Sequence, residues 1–219
     1  MNDTLIIAGF STTPLELISF VLSIATVLLN IRRKHWAWLF AIVSSAMYGI
    51  VFFGTRLYGD AGLQGVFIVA AAWGWYQWLK GGRSAGSAAT DASTSVTADM
   101  ADAAGAPLVV TRLDRAGWTR ALAGWALGYL LLWAFLAHVT DTDVPGTDAF
   151  LTAGSLLGTL LTARKKVENW HVWIVVDVIY VGLYIHKHLY LTAVLYALFV
   201  VLAVLGLRVW RRAAREGVQ

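Results

Sequence analysis

The sequence predicts an all-α integral membrane protein with seven transmembrane helices. Three observations carry this. Of the 219 residues, 58% are hydrophobic and only 14% are charged, where a soluble domain has roughly 45–50% and about 25%. Seven apolar runs approach the ~20 residues that a helix needs to cross a bilayer. The basic residues fall in alternate loops, which is the pattern of a polytopic chain.

The runs lie at 14–31, 36–53, 60–79, 117–138, 148–163, 170–186 and 189–207. Pro14 after Thr12 and Thr13 suits a helix start, since proline at the first helical position lacks only an N–H that would be unpaired anyway. Runs of 16–18 residues fit a bilayer through tilt, thinning and flanking aromatic or basic anchors. Residues 81–116 are rich in Gly, Ala, Ser, Thr and Asp and read as a flexible cytoplasmic linker. The expected organisation is a first three-helix unit at 1–80, the linker, a connecting helix at 117–138, a second three-helix unit at 148–210 and a basic cytoplasmic tail at 211–219. The N-terminal Met-Asn-Asp has no basic region, so no cleaved signal peptide is expected.

Fifteen of the seventeen Lys and Arg residues fall on one side of this scheme: Arg32 to Lys34, the linker and its flanks, Arg164 to Lys166, and the C-terminal end. The other side holds Arg56 and Lys187 together with Asp141, Asp143 and Asp148. The split predicts N-terminus out and C-terminus in. It also accounts for the net charge of +4 without nucleic acid. With no cysteine, disulfides, thiolate metal sites and cysteine nucleophiles are excluded. No phosphate-binding Gly-x-x-x-x-Gly-Lys-Ser/Thr loop and no His-Glu-x-x-His site occurs. No cofactor or metal is expected, and a single intramembrane acid argues against a two-carboxylate enzyme.

The halves resemble each other at a constant offset of 132. Lys34 matches Lys166, Trp38 matches Trp170, Tyr48 matches Tyr180, and Leu57-Tyr58 matches Leu189-Tyr190. Phe67, Gly74 and Trp78 match Phe199, Gly206 and Trp210. Units of three helices repeat in parallel only if another span intervenes, and 117–138 is that span. Parallel repeats with a site at their interface are a transporter plan, and the three-plus-one-plus-three order is similar to that of SWEET sugar transporters.

Asp177, in the middle of the sixth helix, is costly at bilayer depth and should face a cavity or the bundle interior. Trp170, Trp173, Asp177, Tyr180 and Tyr184 recur at spacings of three and four, on one helical face. Rings beside a carboxylate suit a flat organic cation, although Trp170 and Tyr184 also fit interfacial belts. The first half offers Trp36, Trp38, Ser44, Ser45, Tyr48 and Phe52 in the matching region, with no acid, while Gln64 lies near the outer end of the third helix and Tyr196 is its counterpart by the repeat. Ser19, Ser23, Thr26 and Asn30, and Thr152, Ser155, Thr159 and Thr162 with Gly154 and Gly158, read first as helix-packing stripes. His35, His171, His186 and His188 fall at membrane ends and read as interfacial.

At Trp170-x-x-Trp173-x-x-x-Asp177 the chain resembles the PnuC family of vitamin transporters, whose motif is Trp-x-x-Trp-x-x-x-Asn/Asp on the sixth helix of a seven-helix core. Lys166-Val-Glu-Asn-Trp170, Gly74-Trp-Tyr-Gln-Trp78 and Leu57-Tyr58 add to the likeness. It implies a SWEET-like fold in the bacterial inner membrane and uptake of a vitamin precursor, most typically nicotinamide riboside. It further implies facilitated diffusion, trapping by a separate cytoplasmic kinase, a homotrimer, and substrate contacts at Trp170, Trp173, Asp177 and Gln64. Two positions depart from the pattern. Asp177 stands where Asn is frequent, and Ser44 stands where some relatives carry Asn. Thiamine, also a flat cation, is the alternative cargo. A non-transporting sensor or accessory subunit is the rival of another class, and would call for a soluble domain or signalling motif.

Overall fold

The computed structural model describes residues 5–7, 10–12, 14–54, 58–87, 109–140, 144–186 and 190–216. Seven helices follow in order: α1 (Pro14–Ile31), α2 (Trp36–Gly54), α3 (Tyr58–Ser87), α4 (Arg115–Val139), α5 (Pro145–Ala163), α6 (Asn169–His186) and α7 (Tyr190–Glu216). The all-α expectation missed a short hairpin, β1 (Leu5–Ile7) and β2 (Phe10–Thr12), paired antiparallel. By length and composition, Arg115–Val139 and Thr192–Glu216 are able to cross a membrane, and Val21–Ile31 and Trp36–Ile50 are shorter apolar stretches.

Two boundaries differ from the sequence reading for one reason. An apolar run ends where polar surroundings begin, whereas a helix ends where its backbone hydrogen bonds stop. So α3 runs on to Ser87, and α7 continues through the expected tail to Glu216, with Ala214 buried in the core. The expected linker 81–116 is likewise structured at both ends. Of its interior, 88–108 lie outside the described residues. Val110 is buried against the core, Thr111 pairs with Lys166 through the Val167 N–H (3.0 Å), and the Leu113 N–H donates to Glu168 Oε2 at 3.0 Å. Asp114 then caps α4, its Oδ1 accepting from the Gly117 N–H at 2.7 Å.

The 132-residue offset recurs in the coordinates. Two residues past the end of both α1 and α5 stands a residue with positive φ, Arg33 at 57° and Lys165 at 56°. Each is followed by the same backbone closure, Lys34 N–H to Leu29 O and Lys166 N–H to Leu161 O, both 2.9 Å. Trp38 packs its ring on Gly74, and Trp170 does the same on Gly206; at either glycine a Cβ would enter the indole. Trp78 Nε1 donates to the Thr162 carbonyl at 3.0 Å, and Trp210 Nε1 donates to the Asn30 carbonyl at 3.1 Å. Residues 30 and 162 are themselves repeat partners, so each unit donates to the other's last turn. Reciprocal contacts of this form are those of a two-fold relation. Helix packing agrees, for α3 contacts α5 as α1 contacts α7.

These rings make the core at the end of the bundle that carries the basic loops. Trp38 and Trp78 meet edge to face at 5.6 Å, as do Trp170 and Trp210, while Trp78 and Trp210 lie 6.2 Å apart. Helix α4 packs on α5 and leaves Leu127, Leu131 and Phe135 exposed. An apolar face of that kind is one that lipid or another subunit covers.

Candidate functional site

A cavity of about 390 Å³ is lined by residues of α1, α2 and α3 and of α5, α6 and α7. Its walls are largely repeat partners: Ser23 and Ser155, Ser45 and Asp177, Gln64 and Tyr196, Phe67 and Phe199, Ala71 and Ala203. With α3 packed on α5 and α1 on α7, residues at the 132-residue offset reach the cavity from both sides. At one end Trp38 and Trp170, backed by Trp78 and Trp210, close it off.

Asp177 on α6 is 6% exposed and lines this cavity. No Lys, Arg or His lines it among the described residues. A buried carboxylate without a cationic side chain beside it is strongly unfavourable unless something compensates its charge. Around it stand aromatic faces. Tyr180 stacks on Tyr184 at 5.8 Å and meets Tyr196 at 4.5 Å, and Tyr184 meets Tyr196 at 5.2 Å. Trp173 packs on Gly158, and its Nε1 donates to Thr162 Oγ1 at 3.4 Å.

Of the residues expected at the site, Trp170, Trp173, Asp177, Gln64, Tyr180, Ser44 and Tyr196 come together in the cavity wall. Tyr184 is one ring behind Tyr180 and Tyr196, and neither it nor Tyr48 belongs to the wall. The sequence reading had Ser45 and Trp38 only in the matching first-half region, and it did not place Asn169, Phe67 and Phe199 at the site. Subtracting 132 from Asp177 and Trp170 finds the first two. The hydroxyl stripes were expected to pack helices, yet Ser23, Thr26, Ser155, Thr159 and Thr162 line the cavity. The hydroxyls of Thr26, Thr159 and Thr162 fold back on their own helices, to Leu22 O, Ser155 O and Gly158 O at 2.8–2.9 Å.

Away from the cavity, His171 meets Arg211 at 2.9 Å, and burial followed by the Lys34 charge lowers the pKa of His35 from its ordinary 6.5. His188 lies outside the described residues.

The sequence profile of the nicotinamide mononucleotide transporter family matches residues 13–212. The chain belongs to this family. Two curated relatives agree along nearly the whole length. The riboflavin/roseoflavin transporter RibM of Streptomyces davaonensis is 27% identical over 201 residues, covering 92% of this chain and 86% of RibM. The nicotinamide riboside transporter PnuC of Escherichia coli is 24% identical over 219 residues, covering 95% of this chain and 89% of PnuC. The crystal structure of the vitamin B3 transporter PnuC superposes with a TM-score of 0.67 at 21% identity, over 92% of this chain and 82% of that one, and shows the shared fold. This family member is therefore a membrane transporter and not an enzyme.

Proposed function

We propose that the chain takes up a flat, cationic, aromatic vitamin precursor, and that nicotinamide riboside is its cargo. The carrying observation is Asp177: a buried carboxylate, walled by aromatic rings, in a cavity with no described basic side chain. The ligand's positive charge is the natural partner for that acid, and its ring stacks on Trp173, Tyr180 and Tyr196. Trp170 and Gln64 complete the contacts, with Ser44 on the facing wall.

Transport follows from the position of the cavity. The seven helices form a three-plus-one-plus-three, SWEET-like parallel repeat in the bacterial inner membrane, with the N-terminus out. Rocking one unit against the other exposes a site on their interface to each side in turn. Net movement is facilitated diffusion, and a separate cytoplasmic kinase traps the product. The exposed apolar side of α4 supports a homotrimer.

Thiamine, a flat cation, satisfies the same acid. Riboflavin is the other reading, favoured by the RibM likeness over 92% of this chain; being neutral, it leaves Asp177 without a counter-charge. Titrating the purified protein with nicotinamide riboside, thiamine and riboflavin separates these. Nicotinamide riboside binding tightest is the expected result. A preference for riboflavin would replace the cationic reading, and no binding below about millimolar concentration, roughly −4 kcal/mol, would sink the vitamin reading.

A further inference from the structure

The last turns of α1 and α5 are alike in their backbone bonds and different in their side chains. The Asn30 carbonyl accepts the Arg33 N–H at 3.0 Å and the Trp210 Nε1 N–H at 3.1 Å. The Thr162 carbonyl accepts the Lys165 N–H at 2.9 Å and the Trp78 Nε1 N–H at 3.0 Å. Both carbonyls therefore take the same two kinds of donor.

The Thr162 side chain has two further bonds. A hydroxyl has one proton to give and lone pairs with which to accept. That of Thr162 donates to the Gly158 carbonyl at 2.8 Å and accepts the Trp173 Nε1 N–H at 3.4 Å. Trp173 lies against Gly158, where a Cβ would come within 2.8 Å of the indole. The 132-residue offset puts Thr26 opposite Gly158 and Ala41 opposite Trp173. The α1–α3 side thus has neither the ring nor the glycine that makes room for it. Of the two indole bonds between α1–α3 and α5–α7, the one from Trp78 is joined through a single residue to a ring of the cavity wall. Contiguous bonds of this kind are what can carry coupling between two places in a fold.

We infer that Thr162 is a positioning residue that links the cargo to the closed tryptophan end. Its hydroxyl holds the edge of the Trp173 ring, and its carbonyl holds Trp78. A shift of the last turn of α5 that releases Trp78 also carries the hydroxyl away from Trp173. A cargo stacked on Trp173 resists that shift, and a closed end keeps Trp173 in place for stacking. Binding and closure favour each other by the same amount, since coupling is reciprocal. This role rests on the vitamin reading, in which Trp173 stacks on the cargo.

Nuclear magnetic resonance of the purified full-length protein, labelled with 15N at its indoles, tests the link with nicotinamide riboside as the probe. The Trp78 and Trp173 N–H signals are assigned from their absence in Trp78→Phe and Trp173→Phe. Nicotinamide riboside should move both signals in wild-type protein. Thr162→Val keeps the branched shape and removes the hydroxyl. It should weaken nicotinamide riboside roughly threefold to tenfold in calorimetric titration, the loss of one net hydrogen bond. In this variant the ligand should still move the Trp173 signal and should leave that of Trp78 in place. Thr162→Ser, which keeps the hydroxyl, should restore both affinity and the Trp78 response. Thermal unfolding confirms that the variants are folded. If Thr162→Val binds as wild type does, or if Trp78 follows the ligand equally in both, the link is overturned and the vitamin reading stands. Serine weakening the ligand as much as valine would mean that Thr162 acts by packing, which overturns the link too. A Trp78 signal unmoved in wild-type protein that binds the ligand does the same, whether or not the valine variant folds. If nicotinamide riboside does not bind wild-type protein at all, that reading of the cargo falls and the link falls with it.

Discussion

At an offset of 132 residues, α1–α3 and α5–α7 each set a tryptophan on a glycine, follow a helix with a positive-φ residue, and send an indole N–H across to the last turn of α5 or α1. At the cavity some pairs still match, Ser23 with Ser155 and Phe67 with Phe199, but the polar and ring-bearing pairs do not. Asp177 opposes Ser45, Trp173 opposes Ala41, Tyr196 opposes Gln64, and Asn169 opposes Ala37. Frame positions are constrained by packing in both copies, because each ring must fill a space bounded by backbone. The wall positions that differ border open space, where no backbone fixes the side chain's size. A symmetric frame thus holds an asymmetric site, and a ligand in it has distinguishable ends.

Removing the asymmetry should have the largest effect. Asp177→Ala is expected to lower affinity for a cationic ligand by about 2–4 kcal/mol, the cost of stripping one partner from a buried charge pair, with the helical fold retained. Titration and circular dichroism measure the two. Unchanged uptake would reassign Asp177 to structure. Adding Ser45→Asp to Asp177→Ser moves the acid to the facing unit and should recover part of the loss if the two walls are equivalent in position.

Next come substitutions that test the frame. Gly74→Val and Gly206→Val both push a branched side chain into an indole, and overpacking costs about 1–3 kcal/mol. The two losses in thermal stability should be alike. A large difference would break the equivalence of the units.

Smaller still, Trp78→Phe and Trp210→Phe each remove one cross-unit hydrogen bond, worth about 0.5–1.5 kcal/mol net. The rings touch, so the double variant should deviate from additivity in a double-mutant cycle. Strict additivity would mean that the two bonds act independently.

The smallest effect is a pH dependence confined to one unit. His35 has a lowered pKa in the folded state, so between that value and the ordinary 6.5 the unfolded chain binds more protons. Stability should therefore rise with pH across this window and level off above it. Position 167, its repeat counterpart, is Val, which does not titrate. His35→Gln should flatten the profile measured by thermal unfolding, and an unaltered profile would show that other groups set it.

Much of this was legible in the chain. Helix α1 begins and ends where the apolar run does, and Asp177 with its tryptophans pointed to the cavity wall before any coordinates. The strap at Val110–Asp114 was not, because its few apolar residues sit in a long polar stretch and gain their meaning only against Val167 and Glu168. That the Trp38 and Trp170 N–H groups are buried without a partner in the protein was beyond sequence altogether. Whether the Trp38 or Trp170 indole finds a partner depends on a rotamer set against a glycine 36 positions away on a neighbouring helix.

The paired indole bonds have a mechanical meaning. Trp78 reaches the last turn of α5 and Trp210 reaches the last turn of α1, so each unit both grips and is gripped. A turn about the relation that exchanges the units lengthens both bonds by the same amount. Opening that end by such a motion therefore costs both bonds together rather than one.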